Sequence, residues 1–340
     1  MSAPSSSLDP LETNAQGAGD GARGVFSETL PETEQAFRHS GWQRNRDRVH
    51  QAFQTLGIPA ARLEAFERCG TNVWVLQSRS QPDCLRLAGS YCHDRWCRPC
   101  AHARATIAAI NLGERLRNRV TRLLTVTVQS DPTDSLAELL ERLRAGFSRL
   151  RRTKAWGSHV VGGASVLELT WNADGGGWHP HLHVVAEGTF WDQREFAHAW
   201  EIACPGSRIV DIRAITAPQH AANYVAKYLA KPVPQRVYAD HDALCEAIAA
   251  LSGQRAINCF GTWRGWHILA SPKPNPEEWQ PLTTLSSLLA LASAGDAWAI
   301  SVIQQLHRTP KSRKNCVMAA QIASESLEEV SDAALAEAGW

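Results

Sequence analysis

His179-Pro180-His181-Leu182-His183-Val184-Val185 is the stretch on which the fold turns. Along an extended strand successive side chains point to opposite faces, so His179, His181 and His183 share one face while Leu182 and Val184 share the other, toward a core. Imidazoles two residues apart on one strand can take up a single divalent cation with no further folding requirement. Ala164 to Trp171 reads as a partner strand, and Asp174-Gly175-Gly176-Gly177 between the two has the chemistry of a tight hairpin turn. Glu168, on that partner strand, is placed to add an oxygen to the same ligand shell.

Outward from this hairpin, helices and strands mix without strict βαβ alternation. Leu123 to Val128 is a β-branched run that reads as a buried strand. Asp134 to Arg152 is an amphipathic helix, with Leu136, Leu139, Leu140, Leu143, Phe147 and Leu150 recurring at spacings of three and four. A helix around Gln193 to Ile202, a strand at Arg208 to Ile212 and a helix from Pro218 to Lys231 follow, the last stopped by Pro232 and Pro234. Upstream, Glu34 to Phe66 reads as helical with a break near Gly57-Ile58-Pro59. Short strands at Asn72 to Gln77 and Leu85 to Ala88 come next, and then a helix from Ala101 to Arg119. From Gln235 onward the chain reads as mostly helical, apart from a Gly- and Trp-rich stretch at Cys259 to His267. The fold class expected is α+β around a largely antiparallel sheet.

Two further clusters carry chemistry. In Asn223-Tyr224-Val225-Ala226-Lys227-Tyr228-Leu229-Ala230-Lys231, helical spacing puts Tyr224 and Tyr228 on one face and Lys227 and Lys231 on an adjacent stripe. Taken alone, such a tyrosine pair is also the ordinary mark of an amphipathic core edge. The other cluster is Cys92-x4-Cys97-x2-Cys100, preceded by Cys69-Gly70 and Cys84. Clustered cysteines in a reduced compartment indicate structural Zn²⁺, with Cys69, Cys92, Cys97 and Cys100 the preferred ligands. Cys84 is then the spare, and His93 and His102 are possible substitutes.

The formal charge of the 340 residues is only +1, but it is unevenly spread. Between Arg38 and Arg122 there are fifteen arginines, no lysine and six acids, while the two ends of the chain are acidic. An Arg-rich middle offers bidentate phosphate contacts, and Arg95, Arg98 and Arg104 are candidate DNA-binding residues; a solvated surface is the bland alternative. No stretch reaches the roughly 18 apolar residues a membrane span needs. Met1 to Asp20, rich in Ser, Ala, Gly and Pro, reads as a disordered tail without the basic start and apolar core of a signal peptide. The nine cysteines are expected reduced, in a cytoplasmic protein.

The order of these pieces resembles the histidine–hydrophobe–histidine (HUH) endonucleases, which include rolling-circle initiators, relaxases and some transposases. Leu123 to Val128 matches that family's first structural motif, His181-Leu182-His183 its metal-binding motif, and Val225 to Lys231 its catalytic motif. The Tyr-Val-Ala-Lys-Tyr wording is similar to the two-tyrosine phage-type initiators. The cysteine-rich segment looks like the N-terminal zinc module of bacterial plasmid Rep proteins.

Composition and pattern make 1–33 a tail and 235–340 a helical region of unknown role; the resemblance, which covers roughly Cys69 to Pro232, implies an Arg-rich helical segment and zinc module over 34–105 and an HUH endonuclease domain over 106–234. It implies Tyr228 as primary nucleophile, Tyr224 as second, and Lys227 and Lys231 as candidate activating cations. His179, His181, His183 and Glu168 would hold Mg²⁺ or Mn²⁺. The substrate would be single-stranded and origin DNA in the bacterial cytoplasm, with a host helicase and polymerase as partners. No GxxxxGK[ST] phosphate loop is present, so no fused helicase is expected. A two-tyrosine transposase and a non-catalytic zinc-containing DNA-binding regulator remain as rival readings.

Overall fold

A computed structural model describes residues 30–172, 177–266 and 275–307. The expected turn at 174–176, most of the N-terminal tail and everything past 307 lie outside them. Three helices open the chain: α1 (Glu34–Arg38), α2 (Gln43–Thr55) and α3 (Ala60–Glu67). Strands β1 (Thr71–Ser78) and β2 (Leu85–Ser90) follow, then α4 (Arg98–Leu116) and β3 (Thr121–Thr127). Next come α5 (Leu136–Leu150), α6 (Lys154–His159), the long hairpin of β4 (Val160–Asn172) and β5 (Gly177–Gly188), α7 (Gln193–Ala203), β6 (Val210–Ala214) and α8 (Pro218–Ala230). A 3₁₀ turn (Gln235–Ala239), α9 (His241–Ala250), β7 (Ile257–Gly261), β8 (Trp279–Thr284), α10 (Leu285–Ser293) and α11 (Ala297–His307) complete it.

The central sheet is five-stranded, in the order β6-β3-β5-β4-β7, and every pairing is antiparallel. Period-2 alternation divides its faces. Leu124, Val126, Leu182 and Val184 face α5, whose buried stripe is the one its sequence spacing indicates. Ser135 starts that helix with a capping box, its hydroxyl accepting from the Glu138 N–H while the Glu138 carboxylate accepts from the Ser135 N–H. A cap of this kind contributes about 1 kcal/mol. On the opposite face α4 and α8 cover Ala164, Val166 and Val185, leaving the histidine end of the same face to the functional site.

Past Gln235 the chain supplies two strands as well as helices. β7 is the fifth strand of the central sheet, against β4, and β8 joins β1 and β2 in a second, three-stranded antiparallel sheet. Neither segment alternates cleanly in polarity, and each is short. Both form because a neighbouring strand offers an open ladder edge, a tertiary cause that no local pattern announces. The second sheet packs Val73 and Val75 on Phe37 and on Leu285, Leu288 and Ile303 of α10 and α11, tying the two ends of the described chain together. Among the described residues no helix is long and apolar enough to cross a membrane.

Candidate functional site

Strand register assembles the first part of the site. β3 sets Thr125 opposite His183 and Thr127 opposite His181, while β4 sets Glu168 opposite His181 and Thr170 opposite His179. His183 is held from both sides: its Nε2 lies 2.7 Å from Glu168 Oε2 and its Nδ1 lies 3.0 Å from Thr125 Oγ1. A carboxylate only accepts, so Nε2 carries the proton and Nδ1 accepts from the threonine hydroxyl. His181 has Thr127 Oγ1 3.3 Å from Nδ1 and Thr170 Oγ1 3.4 Å from Nε2, and Ser130 Oγ is 2.5 Å from His179 Nδ1. These hydroxyls are missing from the sequence reading. The alternation in Thr125-Val126-Thr127, opposite a histidine strand, is the signal that marks two of them.

α8 supplies the second part. Ala222, Val225, Ala226 and Leu229 are buried against α4 and the sheet, and this seating directs the tyrosines at the histidines. The His183 ring stacks on Tyr228 with centroids 4.4 Å apart and planes 7° from parallel, and it meets Tyr224 edge-on at 5.6 Å. The two tyrosine rings lie 5.4 Å apart in a T-shape. Tyr228 is buried and Tyr224 is 38% exposed. Lys227 sits over both rings, its Nζ 4.2 Å from the Tyr224 centroid and 4.6 Å from that of Tyr228.

The electrostatics keep this arrangement neutral at the phenol. Burial, hydrogen bonding to Tyr224 and the nearby charge of Glu168 push the Tyr228 hydroxyl well above its ordinary 10. Burial also lowers Lys227 and His181. Glu168 is drawn up by desolvation, but its bond to His183 and the charges of His183, His181 and Lys227 hold it below the usual carboxylate value. A nucleophilic Tyr228 therefore needs added positive charge beside it.

The third part is separate. Cys69 follows α3, Cys92 follows β2, Cys97 caps α4 and Cys100 lies in its first turn. Their sulfurs converge within 4.8 Å of one another, with Sγ–Sγ separations of 3.7 Å (Cys69–Cys97), 3.6 Å (Cys69–Cys100) and 3.8 Å (Cys92–Cys100). Tetrahedral Zn²⁺ with bonds near 2.3 Å sets sulfurs about 3.8 Å apart, so the group fits that ion. Gly70 (φ +84°) turns the chain here, where a side chain would meet the Cβ of Arg38 at 2.9 Å. His39 Nε2 lies 3.6 Å from Cys97 Sγ, an outer partner absent from the sequence reading; neither His93 nor His102 belongs to the group. Cys84 stands outside it, and the seven other described cysteines are free thiols. Among the described residues the thiols are the one such convergent group. The imidazoles of β5 bring their nitrogens instead to hydroxyls and to Glu168.

The three arginines singled out from sequence part company. Arg98 is exposed. Arg95 and Arg104 are each 7% exposed. Arg95 donates to the carbonyls of Leu251 and Gln254, and Arg104 to that of His93. Burial lowers both, Arg95 to about 10 and Arg104 to about 9.

Comparison with known proteins places these features in context. A family model described as "Replication protein" matches residues 85–277. The chain is 26% identical over 206 residues to a protein named "Protein rep" from Streptococcus pneumoniae serotype 2, covering 53% of this chain and 63% of that protein's length. It is 24% identical over 163 residues to a "Protein rep" from Staphylococcus aureus, covering 45% of this chain and 71% of that one. No solved structure gives a significant match.

Proposed function

Because the chain belongs to the replication-protein family, matching its model across residues 85–277, we propose that it is a rolling-circle replication initiator of the HUH-endonuclease kind, acting on plasmid or phage DNA. The observation that carries this reading is the meeting of Tyr228 with His183 and Glu168: the phenol ring of a candidate nucleophile stacks on the imidazole of the histidine strand, 4.4 Å between ring centroids.

In this reading Tyr228 Oη attacks the scissile phosphorus in line. A P–Oη bond forms, the P–O3′ bond breaks, and the 5′ end remains on the protein as phosphotyrosine beside a free 3′-OH. Glu168, which interacts with the Tyr228 hydroxyl, receives the phenolic proton. Lys227, over both rings, supplies positive charge to the phenolate. Tyr224 is the second nucleophile: it cleaves the regenerated junction, and the released 3′-OH attacks the first phosphotyrosine to close a circle. Phosphodiester energy is conserved throughout, so joining needs no ATP.

His181, His183 and Glu168, with His179 as an outer candidate, would hold Mg²⁺ or Mn²⁺ once His183 Nε2 gives up its proton and its bond to Glu168. When bound, that ion would supply charge stabilisation at the phosphoryl oxygens. The Cys69, Cys92, Cys97 and Cys100 group would hold Zn²⁺ as a structural clamp, and Arg98 offers phosphate contacts beside it. Single-stranded and origin DNA is the substrate, with a host helicase and polymerase as partners in the cytoplasm.

The test is incubation of the full chain with single-stranded DNA spanning the origin and Mn²⁺, run on a denaturing gel. A slow-migrating protein–DNA adduct that needs the ion is the expected result. Tight DNA binding with no adduct on the origin sequence would overturn the nuclease reading in favour of a regulator.

A further inference from the structure

Ile209-Val210-Asp211-Ile212-Arg213-Ala214-Ile215 runs along one edge of the central sheet, and β6 is its core. The inner side of β6 pairs with β3, from Arg122 opposite Ala214 to Val126 opposite Val210. At the two ends the Ile209 carbonyl accepts from the Thr127 N–H at 3.3 Å, and the Ile215 N–H donates to the Thr121 carbonyl at 3.1 Å. Backbone polar groups alternate sides along an antiparallel strand, so Ile209, Asp211, Arg213 and Ile215 turn theirs to β3. Val210, Ile212 and Ala214 turn their N–H and C=O groups outward. Among the described residues no strand takes these up, and β6 is the one strand of its sheet without a buried residue.

The devices that keep such an edge from pairing are absent. The segment 209–215 holds no Pro, Gly or Lys, and Ile209 is 74% exposed. Its two charges are opposite in sign. Arg213 Nε lies 2.7 Å from Asp211 Oδ2 on the same strand, and both side chains are well exposed.

Run antiparallel to itself, the segment matches. A two-fold axis at Ile212 sets Ile209 against Ile215, Val210 against Ala214, Asp211 against Arg213, and Ile212 against its own copy. The outward groups of Val210, Ile212 and Ala214 then all fall in hydrogen-bonded pairs. Asp211 and Arg213 fall in the non-hydrogen-bonded pairs between them, where opposing side chains come closest. Other strand edges lack this property. About its centre β7 sets Ile257 against Gly261 and Asn258 against Phe260, with no charge pair. β8 carries Pro281, and the only charge on β2 is Arg86.

We propose that β6 is a self-association edge: a second copy of this chain adds its own β6 antiparallel across Ile212, joining two five-stranded sheets into one. The axis of such a pair stands perpendicular to the sheet, so both histidine faces point the same way. From β5 through β3 and β6 to the other β5 there are five strand spacings, which puts the two histidine strands about 24 Å apart. The pairing depends on the edge alone and stands whether or not the histidine face nicks DNA.

Sedimentation of the full chain between about 1 and 100 μM tests it, because an interface of one strand per copy is small and its dimer reversible. The mass should rise with concentration from 37.3 kDa toward twice that value. Ala214→Pro removes one outward N–H from an exposed edge position and should keep the chain monomeric. Arg213→Asp and Asp211→Arg each set like charges opposite one another and should weaken association about tenfold or more. Both alter exposed side chains, and unchanged thermal melts check that they fold. An equimolar mixture of these two charge variants restores opposite charges only between copies, so it should dimerise where each alone does not. Repair of the contact within one strand cannot produce that result. A monomer at every concentration overturns the proposal. So does a dimer that none of the three variants weakens, or a mixture that associates no better than its components.

Discussion

The imidazole of His183 lies flat on the ring of Tyr228, 4.4 Å between centroids and 7° from parallel. One residue comes from the middle of the central sheet and the other from α8, separated by 45 positions in the chain. The stack is set by two independent features: the ladder that aims His183, and the buried face Ala222–Val225–Ala226–Leu229 that fixes the rotation of α8. Histidine held by Glu168 and Thr125 cannot swing away without breaking both bonds, so the pair is preorganised.

From this follows the first expectation. Tyr228→Phe keeps the stacked ring and loses only the hydroxyl, so the fold and DNA binding persist. Covalent attachment falls by at least about three orders of magnitude, as for other nucleophile deletions. The denaturing-gel assay reads this directly. An adduct that survives in Tyr228→Phe and disappears in Tyr224→Phe would reverse the assignment of the two tyrosines.

His181→Ala and His183→Ala should each abolish ion-dependent nicking. They should differ in stability. His181 is part-exposed, with only long contacts to Thr127 and Thr170, whereas His183 is buried, and His183→Ala strands its half-buried partners Thr125 and Glu168 and costs about 2 kcal/mol. Thermal melts measure the difference, and normal cleavage by either variant would remove the histidines from the reaction.

Much of this site was legible in the chain itself. The period of two in His179-Pro180-His181-Leu182-His183, and of four in Tyr224 and Tyr228, puts each set on one face, and local geometry alone determines that. The Cys69, Cys92, Cys97 and Cys100 choice among five clustered cysteines also matches the convergent group. What local pattern does not contain is contact across distance. The bond of Glu168 reaches diagonally to His183 rather than straight across to His181, the hydroxyls of Thr125 and Thr170 clasp the imidazoles, and β7 and β8 exist only because other strands expose edges for them. Arg95 and Arg104 carry the same lesson: a run of arginines looks like a surface, yet these two are packed inside on backbone carbonyls.

The cysteine group should behave as a folding element rather than a reacting one. The purified chain is expected to hold about one Zn²⁺, and Cys100→Ser to lower both metal content and melting temperature, because α4 starts at this site and α8 packs on α4. Elemental analysis together with a melt in the presence of a chelator checks this. A fully folded, metal-free protein with an unchanged melt would contradict it.

Glu187 gives a pH dependence. Its carboxylate accepts from Trp263 Nε1 and Arg119 Nη1, each at 2.7 Å, joining the end of β5 to the turn after β7 and to the end of α4. Desolvation opposes ionisation there, but these two bonds hold its pKa below the ordinary 4.5. A depressed acid contributes stability that is complete above its unfolded-state value and is lost as pH falls through the folded one. Glu187→Ala is therefore expected to destabilise by about 2 kcal/mol at neutral pH. Denaturant titrations of both proteins should show the gap closing below about pH 4. A gap that is constant down to pH 3 would mean that packing, not charge, is what Glu187 supplies.

Gly163 offers the sharpest test of the sheet itself. It lies on β4 between Ala186 of β5 and Phe260 of β7, hydrogen-bonded strands on either side. A Cβ at this position would run into the carbonyl oxygen of Val185, and would stand 3.0 Å from Phe260 Cζ and 3.1 Å from Ala186 Cα. The first obstacle is backbone fixed by its own ladder, so it cannot step aside as the end of a side chain would. Overpacking of this kind costs roughly 1–3 kcal/mol, and for a chain of this size the melting temperature should fall by several degrees, roughly 5 °C. Gly157 on α6 is the control, since a Cβ there meets nothing within 4 Å; Gly157→Ala should be neutral or mildly stabilising because alanine favours the helix. Equal melts for the two alanine variants would mean that β4 and β5 do not meet in this register.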